Sequence, residues 1–366
     1  MTWTVPSTFT SKLNDFDGGN SFARVISTAS NDDGSIIVIV GCRNNNFNNT
    51  DVVAQRSTDG GLTWQHNASG LADHATSPCN FVIWASSLQL FLSNQDTGDT
   101  FSPVRTLKYS ADGLVWTSVV NPSDWYTNNA CWSQTLGIFV TGTFGVPSNF
   151  STQKTLCIQT SSDGTNWTGR DLPVAVKSIN SCAWSPLLGL FAAGGNVAGR
   201  MFTSPNGITW TERTTPINPA VNTNSIITRI DWLPINQCFM AMCTSAGSVY
   251  MIRSTNGINW SQVTYPNINP GSSNFCELAD GSILAGNVTD GFIGYPYFQP
   301  LGLCYSNDGG LTFLTDTSYY PLVFQIISIH QTFSGTILVG GYTNNHTIGT
   351  LSLRVYPATV SFSHHT

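Results

Sequence analysis

Ser161-Ser162-Asp163-Gly164-Thr165-Asn166-Trp167 is one of six segments in which Ser-x-Asp/Asn-Gly is followed within a few residues by an aromatic ring. The others are Ser57-Thr58-Asp59-Gly60 with Trp64, Ser110-Ala111-Asp112-Gly113 with Trp116, and Ser204-Pro205-Asn206-Gly207 with Trp210. Ser254-Thr255-Asn256-Gly257 with Trp260 and Ser306-Asn307-Asp308-Gly309 with Phe313 complete the set. The rings stand 52, 51, 43, 50 and 53 residues apart, which marks one structural unit repeated along the chain. In each segment the Asp or Asn oxygen can fold back onto nearby backbone N–H groups. The Gly supplies the positive φ of a tight hairpin turn, and the ring opens the next strand.

A second pattern precedes each turn. Trp84 and Phe91, Trp132 and Phe139, Trp184 and Phe191, and Trp232 and Phe239 each stand seven apart across a short turn. Elsewhere the same place holds a Gly turn, in Gly34-Ser35-Ile36-Ile37, Gly281-Ser282-Ile283-Leu284 and Gly335-Thr336-Ile337-Leu338. These are seven strand–turn–strand units against six Ser-x-Asp/Asn-Gly turns. Thr2-Trp3-Thr4 matches Thr209-Trp210-Thr211, and wrapping from Phe313 through Thr366 to Trp3 spans 56 residues. The expectation is therefore one all-β domain over residues 1–366, a seven-bladed β-propeller. The N-terminal strand joins the C-terminal blade and closes the ring, which leaves no open sheet edge.

The six turns resemble the Asp-box, or bacterial neuraminidase repeat, of Asp-box β-propellers. In that family the box is structural and joins the third and fourth strands of a blade. Many relatives are sialidases or other glycosidases, so the resemblance implies an exo-glycosidase acting in the central channel as one reading. Sialidases generally use three arginines, a Tyr–Glu nucleophile pair and an Asp acid on six blades, with an Arg-Ile-Pro motif near the N-terminus. Here the nearest counterpart is Phe22-Ala23-Arg24-Val25, without the Pro. The chain has two glutamates, Glu212 and Glu277, whereas glycoside hydrolysis needs a carboxylate pair. The best channel constellation is Arg229 and Asp231 on one innermost strand with Glu277 on the next, and the reading favoured for it is an internal salt bridge between neighbouring blades. A third reading, a cellular assembly factor, follows from similarity to the Asp-box propeller that helps photosystem II assembly. That family is typically exported and carries an arginine patch, and neither feature is visible here.

Composition narrows the classes. Charged residues are 9% of the 366, against about a quarter in an average soluble domain, while hydrophobic residues are 41% and aromatics 11%. The net charge is −6 and no Lys/Arg run occurs, so no basic face for nucleic acid is expected. No apolar stretch suits a membrane span. The start, Met-Thr-Trp-Thr-Val-Pro, lacks a secretory pattern. Nine cysteines without a C-x-x-C pair suggest a reducing compartment and buried thiols rather than a metal site, and no cofactor is implied. His364-His365 read as solvated tail residues.

An uncharged Asn/Ser/Thr surface and a leaderless start suggest a virion protein assembled in a host cytoplasm, or else a cytoplasmic protein. Bacteriophage tail and appendage genes often encode such propellers. The leading expectation is a non-enzymatic structural or receptor-binding virion protein. Its partners would be other virion proteins or a host surface glycan, held on the face opposite the Ser-x-Asp/Asn-Gly turns. The long loops there carry Trp125, Tyr126, Tyr295, Tyr297, Phe298, Tyr319 and Tyr320, rings suited to sugars or to a protein interface.

Overall fold

The structure is a computed structural model that describes residues 21–45, 49–61, 63–66, 69–71, 79–99, 102–119, 126–144, 153–196, 199–217, 225–245, 248–264, 274–286, 303–315, 324–331, 337–343 and 354–356. Regular structure among them is entirely β. The first group is β1 (Ser21–Ser30), β2 (Ile37–Asn45), β3 (Asn49–Ser57) and β4 (Gln65–His66). The second is β5 (Val82–Ala85), β6 (Leu90–Asp99), β7 (Ser102–Ser110) and β8 (Thr117–Val119). The third is β9 (Tyr126–Ser133), β10 (Ile138–Phe144), β11 (Lys154–Ser161) and β12 (Thr168–Val176). The fourth is β13 (Ser178–Ser185), β14 (Leu190–Asn196), β15 (Met201–Ser204) and β16 (Thr211–Arg213). The fifth is β17 (Ile226–Leu233), β18 (Cys238–Ser245), β19 (Ser248–Ser254) and β20 (Ser261–Val263). The sixth is β21 (Phe275–Glu277), β22 (Ile283–Gly286), β23 (Leu303–Ser306) and β24 (Leu314–Thr315). The last, with three described strands, is β25 (Phe324–Gln331), β26 (Ile337–Thr343) and β27 (Arg354–Tyr356).

Within every group each strand pairs antiparallel with the next in the chain. Single residue pairs, Phe144 with Ser178 and Asn196 with Ile226, link the third, fourth and fifth groups. First strands of successive groups approach one another along most of the series, and β1 lies against both β25 and β26. The first described group and the last are thus neighbours in space. Residues 1–20, with Thr2-Trp3-Thr4, lie outside the described residues.

The core lies between groups rather than within one. Val38, Val40 and Ala54 pack with Val82, Phe91 and Trp116 between the first two groups. Cys238, Met240 and Met251 pack with Phe275, Ile283 and Cys304 between the fifth and sixth. A second strand is therefore covered on both faces, which explains why Cys238 to Cys243 is one unbroken buried run. An outer strand is covered on one face only, and β12 alternates accordingly. The Trp–Phe pairs seven apart are register partners across the first hairpin, Trp84 with Phe91 and Trp184 with Phe191 among them. Their rings sit 4.6 and 4.4 Å apart.

The turns between third and fourth strands share one geometry. At Ser110 the hydroxyl donates to Asp112 Oδ1 at 3.0 Å and accepts from Gly113 N at 2.8 Å. Asp112 Oδ1 then accepts the N–H groups of Leu114 and Val115 at 2.8 and 2.9 Å. The Trp116 indole closes the turn by donating to Gly113 O at 3.3 Å. Asn206 and Asn256 make the same backbone bonds with a neutral oxygen. In the first and sixth groups a second Gly lengthens the turn. There Gly61 or Gly310 N reaches the Ser, and the hydroxyl of Thr63 or Thr312 caps the other carboxylate oxygen.

From the second group onward each such turn also seats on the preceding group. Gly113 has φ +74°, and a Cβ there would stand 2.5 Å from Val38 Cγ2 of β2. At Gly257, with φ +70°, a Cβ would stand 2.6 Å from Leu190 Cδ2 of β14. Arg56 Nη1 adds a bond across the first interface, donating to Asp112 O at 3.2 Å.

Two outcomes follow from this geometry. Gly113→Ala combines a left-handed backbone with that close approach, and should lower unfolding stability by about 2 kcal/mol in a denaturant titration. Partial burial pushes the Asp112 carboxyl up, but bonds from Val115, Leu114 and Ser110 more than offset it and hold the group below the usual carboxylate range. A folded pKa below the unfolded one gives stability that is present above about pH 4 and lost as pH falls through the depressed value. Asp112→Asn should therefore lower neutral-pH stability and flatten part of the acid limb of a stability–pH curve, the difference from the unaltered protein shrinking as pH falls. An unaltered acid limb would refute this cause.

Candidate functional site

The innermost strands of four groups wall one cavity of about 700 Å³. Ser27, Thr28 and Ser30 face it from β1, Arg229 and Asp231 from β17, Phe275 to Glu277 from β21, and Ile329 and Gln331 from β25. All three residues of the channel constellation thus reach the same space.

A bulge explains how Arg229 arrives there. Inner strands shift register beside one extra residue, between Val25 and Ser27 in β1, Ile179 and Ser181 in β13, and Ile227 and Arg229 in β17. The residue just after the bulge faces the next group. Ser27 uses that position to accept from Val82 N at 3.1 Å, and Ser181 to accept from Ile230 N at 2.9 Å. In the fifth group the position holds Arg229. Its guanidinium instead donates from Nε to Asp231 Oδ2 at 2.5 Å and lies 5.5 Å over the Phe275 ring of the sixth group. Where the sister groups have a hydroxyl clip, this pair of groups has an ion pair opening on a cavity.

The two charges keep 32% and 36% of their side-chain surface open to that cavity. Protein nevertheless surrounds Asp231, and this desolvation raises its carboxyl above the usual range even though the Arg229 charge and hydrogen bond pull it down. Burial likewise pushes the Cys276 thiol up to about 11, so it stays protonated near neutral pH and is a poor nucleophile.

Glu277 does different work. Its carboxylate accepts from Ile235 N at 2.9 Å, Asn236 N at 2.8 Å and Asn236 Nδ2 at 2.6 Å. It caps the turn between β17 and β18 and so fastens the sixth group to the fifth. The expected salt bridge between neighbouring blades is replaced by two separate devices: Arg229 pairs within its own strand, and Glu277 binds backbone of the preceding group. Glu212 is remote from the cavity and pairs with Arg200 at 3.3 Å.

Of the ring residues expected on the loop face, Trp125, Tyr295, Tyr297, Phe298, Tyr319 and Tyr320 lie outside the described residues. Tyr126 opens β9. The opposite face carries an apolar feature that the sequence reading did not single out. Leu136, Leu187 and Ile235 on first-hairpin turns, and Val115, Ile208, Ile258 and Leu311 beside the Ser-x-Asp/Asn-Gly turns, are all exposed. Their signal is one Leu, Ile or Val within most of these turns, beside a residue whose backbone is already tied down, although the third-group turn carries Thr165 instead. Among the described residues no His, Cys, Asp and Glu side chains gather in threes as metal ligands would.

Antiparallel groups packed face to face around shared inner strands make this chain a β-propeller, and its site is a cavity among those strands. No protein-family model matches the sequence. No curated protein matches it either. The fold is similar to YCF48 bound to a D1 peptide, with a TM-score of 0.56 and 16% identity over 93% of this chain and 96% of that one. It is also similar to the WD40 β-propeller domain of Doa1, with a TM-score of 0.52 and 12% identity over 93% and 98% of the two chains. Against an ancestral GH74 enzyme the TM-score is 0.57 at 14% identity, covering 96% of this chain and 47% of the enzyme. At these identities the likeness is one of fold alone.

The capping role of Glu277 has a direct consequence. Glu277→Ala removes the acceptor of three donors and should lower stability by about 1–2 kcal/mol in chemical denaturation, discounted because the turn is partly exposed. Unchanged stability would return Glu277 to the list of groups available for chemistry.

Proposed function

We propose that the chain is a seven-bladed Asp-box propeller that serves as a non-enzymatic structural or receptor-binding component of a bacteriophage virion. It contacts a host glycan or neighbouring subunits through the loops opposite its tight turns. The observation that carries the non-enzymatic reading is the commitment of Glu277 to three hydrogen-bond donors of the adjacent group. A glycosidase needs one carboxyl to give a proton and a second to attack or activate water. Here Asp231 is tied to Arg229 and Glu277 to the turn, which favours a contact protein over a hydrolase. The 9% charged composition supports an exterior with little charge to desolvate on contact. Fold similarity to a propeller solved with a bound peptide makes peptide recognition by a cellular assembly factor the second reading.

The ring count rests on seven successive antiparallel groups and on the contact between β1 and the last group. Thr2-Trp3-Thr4 supplies the missing outer strand beside β27 in this proposal. Deleting residues 1–5 should then lower stability by about 3 kcal/mol or more, since one strand of a blade is lost and an edge exposed. Stability equal to that of the full chain would break the proposed closure.

Mass spectrometry of purified particles tests the virion assignment; absence of the chain from particles refutes it. For the contact face, Tyr295→Ala and Tyr297→Ala should each weaken binding to the particle or host surface by about 2 kcal/mol without altering the fold. Serine in place of Ile208 and Ile258 tests the turn face in parallel. Binding lost there, and retained in the tyrosine variants, would move the contact surface to the opposite side.

A further inference from the structure

The exposed apolar residues of the turn face gather along one arc, from the third group to the sixth. Turns of neighbouring groups meet there. A Cβ on Gly207 would stand 3.0 Å from Ile138 Cδ1, one on Gly257 2.6 Å from Leu190 Cδ2, and one on Gly309 3.1 Å from Asn236 Oδ1. First-hairpin turns of the third, fourth and fifth groups thus lie beside Ser-x-Asp/Asn-Gly turns of the fourth, fifth and sixth. Each junction carries one exposed apolar residue from either side: Leu136 with Ile208, Leu187 with Ile258, and Ile235 with Leu311. All six keep between 41% and 60% of their surface. At the two preceding junctions the corresponding turns are Asn31-Asp32-Asp33 with Val115, and Ser86-Ser87 with Thr165-Asn166. Six half-open Leu and Ile side chains set in neighbouring turns reach the extent, several hundred Å², at which an apolar patch marks a contact site.

Charge follows the same division. The six turns of the apolar arc hold a single charged residue, Asp308. The other described turns of this face hold Asp32, Asp33, Asp59, Asp112, Asp163 and Asp280. Asn206 and Asn256 stand where other groups have Asp, yet accept the same backbone N–H bonds, so the hairpin does not require the exchange. What the exchange removes is charge, beside Ile208 and Ile258. The cores of protein interfaces are depleted in charge for the same reason, because they must leave water. The chain carries a net charge of −6, so two copies repel one another, and its carboxylate turns would oppose themselves. The neutral arc lets two copies meet without bringing carboxylates together. Asn amides and Thr hydroxyls both donate and accept, so the polar atoms between the apolar residues complement their own copies, as a two-fold contact requires. A cationic partner would be drawn instead to Asp32, Asp33 and Asp112. We infer that the turn face is a homodimer interface, in which the arc from Leu136 to Leu311 packs on the same arc of a second copy, with Leu187 and Ile258 near the two-fold axis. The loop faces of the two copies then point away from each other.

This interface is separate from the loop-face contact proposed above and stands without it. Sedimentation velocity on the full chain, over about a hundredfold range of concentration, reads it directly. The expected result is a reversible monomer–dimer equilibrium. Leu187→Asp and Ile258→Asp place a carboxylate at the centre of the patch, twice in each dimer. Each should raise the dissociation constant by about a hundredfold with an unchanged melting temperature. Asn256→Asp restores the residue of the sister turns, so its fold has a precedent in Asp112. It should weaken the dimer by about tenfold at low salt, and added salt should recover part of the loss. Val115→Asp, among the carboxylate turns, and Tyr295→Ala, on the loop face, should leave the dimer as it is. A chain that stays monomeric throughout overturns the inference. A dimer that persists in folded Leu187→Asp and Ile258→Asp variants, or that Val115→Asp dissociates equally, also overturns it.

Discussion

A single side-chain oxygen, at the third position of each Ser-x-Asp/Asn-Gly turn, collects the backbone N–H groups that a tight reversal leaves without partners. In the second group that oxygen is Asp112 Oδ1, which serves Leu114, Val115 and the Ser110 hydroxyl at once. With those groups satisfied, Gly113 can hold its left-handed backbone and present its carbonyl to the Trp116 indole. The ring is then fixed over the interface with the preceding group, where it joins Val38, Ala54 and Phe91. Turn, ring and interface form one sequence of dependence, repeated down the chain. Because the turns from the second group onward seat on the group before them, a local hydrogen-bond pattern becomes the means by which whole sheets are arranged.

That dependence explains which parts of the molecule were legible in the sequence. The turns and the Trp–Phe hairpins could be read because their chemistry is local, as Trp84 and Phe91 proved to be direct register partners. Buried second strands such as Cys238 to Cys243 followed from unbroken apolar runs. The roles of Arg229 and Glu277 were less accessible. Arg229 owes its direction to a bulge at Thr228, and no residue type announces a bulge. Glu277 acts on Ile235 and Asn236, about 40 positions away, and only the seating of the sixth group on the fifth brings them together. The exposed Leu187 and Ile258 went unremarked because an apolar residue in a turn looks like core until its neighbours are known to be tied to backbone.

Repetition also makes departures from the pattern informative. Sister inner strands show what the fold needs at the position after the bulge, a short polar clip in Ser27 and Ser181. An arginine in that place is therefore a difference measured against the protein's own repeats. The cavity lies where the clip is missing, and of its carboxylates Asp231 is paired with Arg229 while Glu277 is held by neutral donors. A contact protein built on a rigid ring and a hydrolase built on the same ring would differ at this point, in whether the carboxylates are held or left available.

Turns, rings and interfaces act as one unit, so that the sheets cannot be lost one at a time. Buried cysteine thiols report on several interfaces separately: Cys79 between the first and second groups, Cys157 between the third and fourth, Cys243 between the fourth and fifth, and Cys304 between the fifth and sixth. Pulsed thiol labelling across a denaturant series, read by peptide mass spectrometry, would follow all four in one experiment. A closed and mutually seated ring requires the four midpoints to coincide, in step with the loss of Trp fluorescence. Midpoints that separate, with one interface labelled while the others stay protected, would show that the sheets are independently stable and not coupled through their turns.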